Sequence, residues 1–348
     1  MSGNASQKTD VRKLQVTGGS TYVLSLPKEW VTQNNLKKGS SLLIREEESG
    51  ALSVLPPEMG KPERPEEALI EVSPQDNPNT LTRKAVAAYL VGYNIIHMRA
   101  KSRQQLSSRQ RNTLKTFARR LLVGTEIVTD TSTELTLQVL LSYPELSVPN
   151  ALRRMCIITS SMHKDVITAL KELDSQLAEG IIATDDEVDR FHLYIIRQLK
   201  MAVQNPRIIK EIGLKNPRDC LGYRLITKTV ERTADHAANI ASNILSLKGR
   251  LDERVLAKIE QMSKLATSSF ETAIESLFKR DFDMAENVIE KAKEIISLEK
   301  EAVLFSRDIR IEEITNLRLI IESVTRAAEY ASDIAEIVLN LTVESIIE

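Results

Sequence analysis

Glu231, Asp235 and Asn239 recur every fourth residue in the stretch ERTADHAANIA, residues 231–241. On a helix, residues four apart lie one turn above each other, so this spacing lines two carboxylates and an amide along one ridge. Such oxygens can jointly hold a divalent cation or an iron or zinc cluster. They can equally form a solvated face, where most helix carboxylates sit, and spacing alone leaves both readings open. Alanines at 234, 237, 238 and 241 thin the helix and let a second backbone approach, which favours the ion. A related stretch, RAAEYASDIA at 326–335, keeps an acid pair four apart at Glu329 and Asp333, with Thr325 at the position of Glu231. Glu322 can contribute from a lower turn, and Arg232 and Arg326 can pair with the carboxylates and orient them. His236 beside the ridge reads as a surface or hydrogen-bonded histidine, and His97, His163 and His192 show no metal-type spacing.

Catalytic signatures are missing. There is no Ser-His-Asp order, nucleophile elbow or phosphate loop, and no Glu-x-x-His pair of the di-iron bundle kind. The chain therefore reads as a regulator, not an enzyme.

The elements that carry the ridge follow from composition. The chain has 348 residues, 47 Lys+Arg against 48 Asp+Glu, and 4% aromatic residues. Near-neutral charge gives no general attraction to nucleic acid or acidic membrane, and the Leu, Ile, Ala, Glu and Lys bias suits helices. Cys156 and Cys220 are too few for a disulfide framework or a Cys-based zinc site. The polar start and the lack of a long apolar run predict a cytoplasmic protein without membrane insertion.

From Ser147 onward the pattern is helical and repeated. Residues 159–162 are echoed by 267–270 at an offset of 108, residues 173–189 by 280–296 at 107, and residues 232–241 by 326–335 at 94. This predicts two three-helix repeats, 147–248 and 249–348. Their helices are expected near 149–179, 184–204 and 218–247, then 251–279, 283–304 and 309–341. Thr184 to Glu187 reads as a capping box that starts a helix, and Thr159, Ser160 and Ser161 as small-residue packing.

The first part of the chain differs. Residues 8–56 mix Val, Thr, Tyr and Leu around Gly18-Gly19 and around Glu48-Ser49-Gly50, a pair of hairpin signals flanking a helical turn that Pro27 opens. So short a module buries little alone and needs a partner chain. A proline-rich linker follows at 57–66. Residues 67–146 predict a small α/β connector, with strands at ALIEV and NIIHMRA, two helices, and a closing strand pair in EIVTDTSTELTLQVLL. Residues 8–45 hold seven Lys/Arg (Lys8, Arg12, Lys13, Lys28, Lys37, Lys38 and Arg45) against two acids. A dimer doubles that excess, enough to track phosphates.

The residues from Glu231 to Ile240 resemble the helix motif of the PhoU family, whose members are tandem three-helix bundles. The resemblance covers residues 147–341 and implies metal binding through Glu231, Asp235 and Asn239, with Glu329 and Asp333 in the second copy. It also implies phosphate-transport or signalling proteins as partners. Arg12-Lys13-Leu14, Leu26-Pro27-Lys28-Glu29 and Leu36-Lys37-Lys38-Gly39 resemble a SpoVT-AbrB-type domain, which implies a swapped-hairpin homodimer that binds DNA through its basic residues. Where DNA-binding members of that family carry two arginines after the proline, Val31 and Thr32 stand here. An AbrB-like module ahead of PhoU repeats is similar to the archaeal phosphate-uptake regulators. The expectation is a mainly α protein that regulates phosphate homeostasis, binding DNA through the hairpin module. The alternative is an adaptor for a transporter or kinase whose hairpin module only dimerises.

Overall fold

A computed structural model describes residues 11–19, 21–46, 50–56, 67–102, 104–140, 146–205, 208–305, 311–345 and 347. Lys8, the turn residues Glu48 and Ser49, the linker 57–66 and the side chain of Arg45 lie outside the described residues. The chain divides into two compact units at Pro65/Glu66.

In the first unit, strands β1 (Gln15–Thr17) and β2 (Thr21–Val23) pair antiparallel across Gly18 and Gly19, whose positive φ angles of 64° and 86° suit glycine. Helix α1 (Lys28–Gln33) follows, with Pro27 at the N-cap and Lys28, not Pro27, as the first helical residue. A second antiparallel pair, β3 (Leu43–Glu46) and β4 (Leu52–Leu55), aligns Leu43 with Leu55. The two hairpins are separate two-stranded sheets, and neither β1, β2 nor α1 buries a residue. Val11, Leu14, Val16, Tyr22, Ile44 and Leu52 are all more than half exposed.

The second unit begins with the α/β connector. Its sheet has the order β5-β6-β8-β7: β5 (Glu67–Val72) runs parallel to β6 (Ile95–Ala100), and β8 (Glu134–Val139) runs antiparallel to β6 and to β7 (Thr125–Asp130). The parallel pair needs a crossover, which α2 (Pro78–Val91) supplies. Gly92 at φ 111° ends α2, and a capping box between Ser107 and Gln110 starts α3 (Ser108–Leu121).

Eight α-helices follow among the described residues: α4 (Val148–Glu172), α5 (Ser175–Gln204), the short α6 (Ile208–Glu211), α7 (Asp219–Ile244), α8 (Glu253–Lys279), α9 (Phe282–Ala292), α10 (Ile295–Phe305) and α11 (Ile311–Thr342). Helices α4, α5 and α7 form the first bundle; α8, α9 with α10, and α11 form the second. Packing of α7 on α11 and of α4 on α8 joins them, and the buried residues of both bundles belong to one continuous core.

Several expected details are corrected, among them the single helix expected over 283–304, which divides at 293–294 into α9 and α10. Helix α5 starts at Ser175, not 184, because Leu173 in the left-handed region ends α4 and the Asp174 carboxylate accepts from Leu177 N–H. Thr184 lies within that helix, where its hydroxyl donates back to Gly180 O. The first helix accordingly ends at Glu172. The 108 offset for the Thr-Ser-Ser pair is also overturned. Leu173 and Arg280 share a positive φ of 54° and 55°, and Asp174 and Asp281 cap the next helices in the same way, all related by 107. Apart from Ala151, the same 107 maps the buried positions of α4 onto those of α8, while 94 maps those of α7 from Tyr223 onward onto α11. Core burial thus sets the register that residue identity misread by one.

Arg197 ties connector and bundle together. It projects from the last third of α5, buried, and donates to the carbonyls of Tyr89, Gly92 and Tyr93 and to Asn94 Oδ1, while Arg120 of α3 pairs with Asp186. The Arg197 guanidinium also lies 4.8 Å from the centre of the Tyr89 ring. Tyr89 O also accepts from Gly92 N–H, whereas the Gly92 and Tyr93 carbonyls, just past the end of α2, take their donors from Arg197 in a dry place. Replacing Arg197 with Ala should lower stability by about 2 kcal/mol, read as a shift in the urea midpoint.

Candidate metal centre

The ridge of α7 faces α5. Asp185, Asp189 and His192 on α5, spaced four and three apart, share one face of that helix and meet Glu231 and Asp235 of α7. Asp189, His192 and Glu231 each place one ligand atom within 4.8 Å of the others. His192 Nδ1 lies 3.6 Å from Glu231 Oε1, and Lys228 Nζ binds both oxygens of Glu231.

The electrostatics follow from crowding. Burial would raise the Glu231 carboxyl, but hydrogen bonds from His192 and Lys228 outweigh it and hold the group below its usual value. Asp235 is pushed up to about 6 by burial and then by Glu231 and Asp189. Asp185 is pushed up to about 7 by burial and then by Asp235, Asp189 and Glu231. Asp189 is also raised, by burial and by Glu231, against His192 and Lys228. Four carboxylates this close repel each other when all are ionised, so the group shares protons unless positive charge neutralises it. Asp185 Oδ1 is buried and meets no hydrogen-bond partner among the described residues. An orphaned carboxylate oxygen beside a carboxylate and imidazole donor set fits a divalent cation of the zinc, iron or manganese type.

The structure brings Glu231 and Asp235 together and leaves Asn239 exposed one turn beyond, outside the three-residue ligand group. His236 is not in the group; its ring lies 5.6 Å from Tyr330. In the second bundle Glu329 and Asp333 are exposed, and Glu329 accepts from Arg326 at 2.7 Å. Thr325 is buried there, donating to Ile321 O. The 107 register puts Ala292, Ile296 and Glu299 where the first bundle has Asp185, Asp189 and His192. The α5 half of the centre escaped the sequence reading. Its available signal was Asp185 and Asp189, the same four-residue acid spacing, followed by Asp189-x-x-His192, a shorter-acid version of the carboxylate and histidine pair that bundle metal sites use.

In the first unit Arg12, Lys13, Lys28, Lys37 and Lys38 are exposed. Among the described residues of the chain, no helix is long and apolar enough to cross a membrane.

The fold and the acid ridge define a class: tandem, pseudo-symmetric three-helix bundles with a small hairpin module ahead of them. Residues 152–244 and 259–338 match the PhoU domain family, and residues 15–65 match the family described as antidote-toxin recognition MazE, bacterial antitoxin. The chain belongs to the PhoU family, with two PhoU repeats behind a MazE/AbrB-type domain. A phosphate-specific transport system accessory protein PhoU homolog of Clostridium acetobutylicum is 27% identical over 155 residues, 43% of this chain and 67% of that protein. The protein of the same description in Caulobacter vibrioides is 25% identical over 197 residues, 53% of this chain and 82% of its own. Among solved structures, PhoU from Streptococcus pneumoniae, described as a phosphate transport system regulatory protein, superposes with a TM-score of 0.48 at 21% identity, over 58% of this chain and 96% of that one.

Proposed function

We propose that this protein is a non-enzymatic, cytoplasmic regulator of phosphate uptake whose first PhoU repeat holds a metal ion and whose hairpin module makes a homodimer and binds DNA. The observation that carries it is the pair of PhoU repeats, since the relatives that share them are named as phosphate-transport accessory proteins. Dimerisation is supported by the apolar side chains that the hairpins leave in water, a surface that an isolated module of this size does not cover. DNA binding is supported by the exposed basic residues Arg12, Lys13, Lys28, Lys37 and Lys38, with Arg45 in the same module. The metal is supported by the unpartnered Asp185 oxygen; Asp185, Asp189, His192, Glu231 and Asp235 would hold it, with Asn239 one turn away. The acids Glu329 and Asp333 form a weaker second position, because their facing helix offers Ala292 and Ile296. Bound in the first repeat, the ion would supply fixed positive charge that locks α5 against α7, and phosphate-transport or signalling proteins would read the resulting bundle surface.

DNA binding by the full chain is tested by titration at several salt concentrations. Neutralising Arg12, Lys13, Lys37 and Lys38 should weaken binding and reduce the slope of log K against log salt by roughly one for each phosphate no longer neutralised. An unchanged slope puts the DNA-facing cations elsewhere. No DNA binding at low salt from a chain that light scattering reports as a dimer favours the adaptor reading, to which Val31 and Thr32 already lean.

A further inference from the structure

Helices α4 and α8 pack antiparallel: Lys164 pairs with Glu271 at 2.7 Å and Lys171 with Glu260 at 2.7 Å, so α8 descends as α4 rises. Residue numbers along the seam map onto each other by 107, and Lys164 and Glu271 are that operation's own mates. The bundles are therefore related by a pseudo-two-fold axis passing through this ion pair. On either side of it lies a cleft, one of about 680 Å³ and one of about 460 Å³, lined by equivalent residues. Arg153, Cys156, Ile157, Ser160 and Ser161 in the larger correspond to Glu260, Ser263, Lys264, Thr267 and Ser268 in the smaller. Across the groove, Ile274, Glu275 and Phe278 correspond to Ile167, Thr168 and Lys171.

These mates have diverged in one direction. The smaller cleft is closed at its end by the Lys171–Glu260 ion pair and rimmed by Lys264, which suits water. At the same place the larger cleft has Arg153 lying 4.0 Å over the Phe278 ring, and Ile157, 63% exposed, where Lys264 stands in its mate. The other cations of this cleft are satisfied, Lys164 by Glu271 and Lys279 by Glu275 at 2.6 Å. Arg153 meets no carboxylate within ion-pair distance among the described residues. One copy of a duplicated groove thus lacks the ion pair of its mate, has more apolar wall and holds one uncompensated guanidinium. An exposed isoleucine beside a phenylalanine and an arginine without a carboxylate partner offers an apolar body a surface that leaves water on contact, and offers an acid group a forked hydrogen-bonding partner. The volume is that of a small-molecule site.

We propose that the larger α4/α8 cleft binds a small amphipathic organic anion, its acid group on Arg153 and its apolar body between Ile157, Ile274 and Phe278. The site lies on the seam between the repeats and is independent of the metal centre and of the hairpin module.

The test copies each cleft into the other. Full-length protein is titrated calorimetrically with dodecanoate and with 1-naphthylacetate, with 1-naphthylacetamide as the neutral control. The wild type should bind one equivalent of an acid probe in a saturable way and the amide at least about tenfold more weakly. The double variant R153E/F278K installs the ion pair that its mate already tolerates, so it should fold with unchanged circular dichroism and lose at least about tenfold in affinity. The triple variant K171F/E260R/K264I should gain a second equivalent. The hairpin module's exposed apolar residues are the same in every variant and cancel in the comparison. Absence of saturable binding of either acid up to about 1 mM, or equal affinity in folded R153E/F278K, overturns the proposal.

Discussion

Replacing Asp185 and Asp235 together with asparagine is expected to abolish metal uptake and to leave the metal-free protein more stable than the wild type at neutral pH. In the folded chain these carboxyls are pushed up to about 7 and about 6, from an ordinary value of 3.8, by burial and by the neighbouring acids. A raised folded value means that the folded state holds a proton which the unfolded state has released. Below pH 3.8 neither group costs anything. As pH rises through the interval to about 7 the folded state loses stability, and above it the penalty is complete. Both groups keep some exposure to solvent, so the combined penalty is about 1–3 kcal/mol, well below the full conversion of the shifts. Asparagine removes the charge and keeps the shape. A bound cation removes the same repulsion, and at a hundredfold excess over its dissociation constant contributes about 2.7 kcal/mol. Wild type should therefore melt higher with manganese or zinc than with chelator, and the variant should melt identically in both. Elemental analysis and melting curves at pH 5 and pH 8 check this. A wild type that takes up no stoichiometric metal after loading with iron, zinc or manganese, with a variant no more stable than it at pH 8, would sink the metal reading.

The second large effect has the opposite sign with pH. His163 is buried in α4 and hydrogen-bonds the carbonyl of Thr233 at 2.8 Å. Burial lowers its pKa from 6.5 to about 4, with a further push from His236 and partial recovery through Thr233. Here the unfolded chain binds the proton first. Stability is complete above about pH 6.5 and falls as pH drops toward 4, by about 3 kcal/mol over the interval. The position equivalent to His163 in α8 is Phe270, also buried, so the same environment already accepts an aromatic ring without charge. His163→Phe should lie within about 1 kcal/mol of the wild type at pH 7 and exceed it by about 2 kcal/mol at pH 4.5. Urea unfolding at the two values measures the difference directly, with other titrating groups common to both proteins. Parallel pH profiles would mean that His163 is not the acid-sensitive group.

The internal duplication, the helical class, the hairpin pair and the order of the connector elements were all legible in the sequence, because each rests on local pattern. Period 2 against 3.6, Gly-Gly at a tight turn and recurring helix faces are properties of neighbouring residues. The acid ridge of α7 was legible for the same reason. Helix ends were less so. Thr184 to Glu187 has the composition of a cap, yet the break falls ten residues earlier, where Leu173 takes a left-handed conformation that its type does not announce.

What tertiary structure alone decided is which faces meet. His192 follows Asp189 by three residues in its own helix, but Glu231 lies on another one, so only the packing of α5 on α7 makes a donor set of the three. The repeat register behaved likewise: residue identity favoured 108 at the Thr-Ser-Ser stretch, but the buried positions of α4 and α8, all but Ala151 against Lys258, match at 107. From that register came the pseudo-two-fold axis at Lys164 and Glu271 and the unequal clefts beside it. Sequence determines the periodicity of each helix. The distance between side chains on different helices is set by the collective filling of one core, a sum over the whole chain that no local window contains.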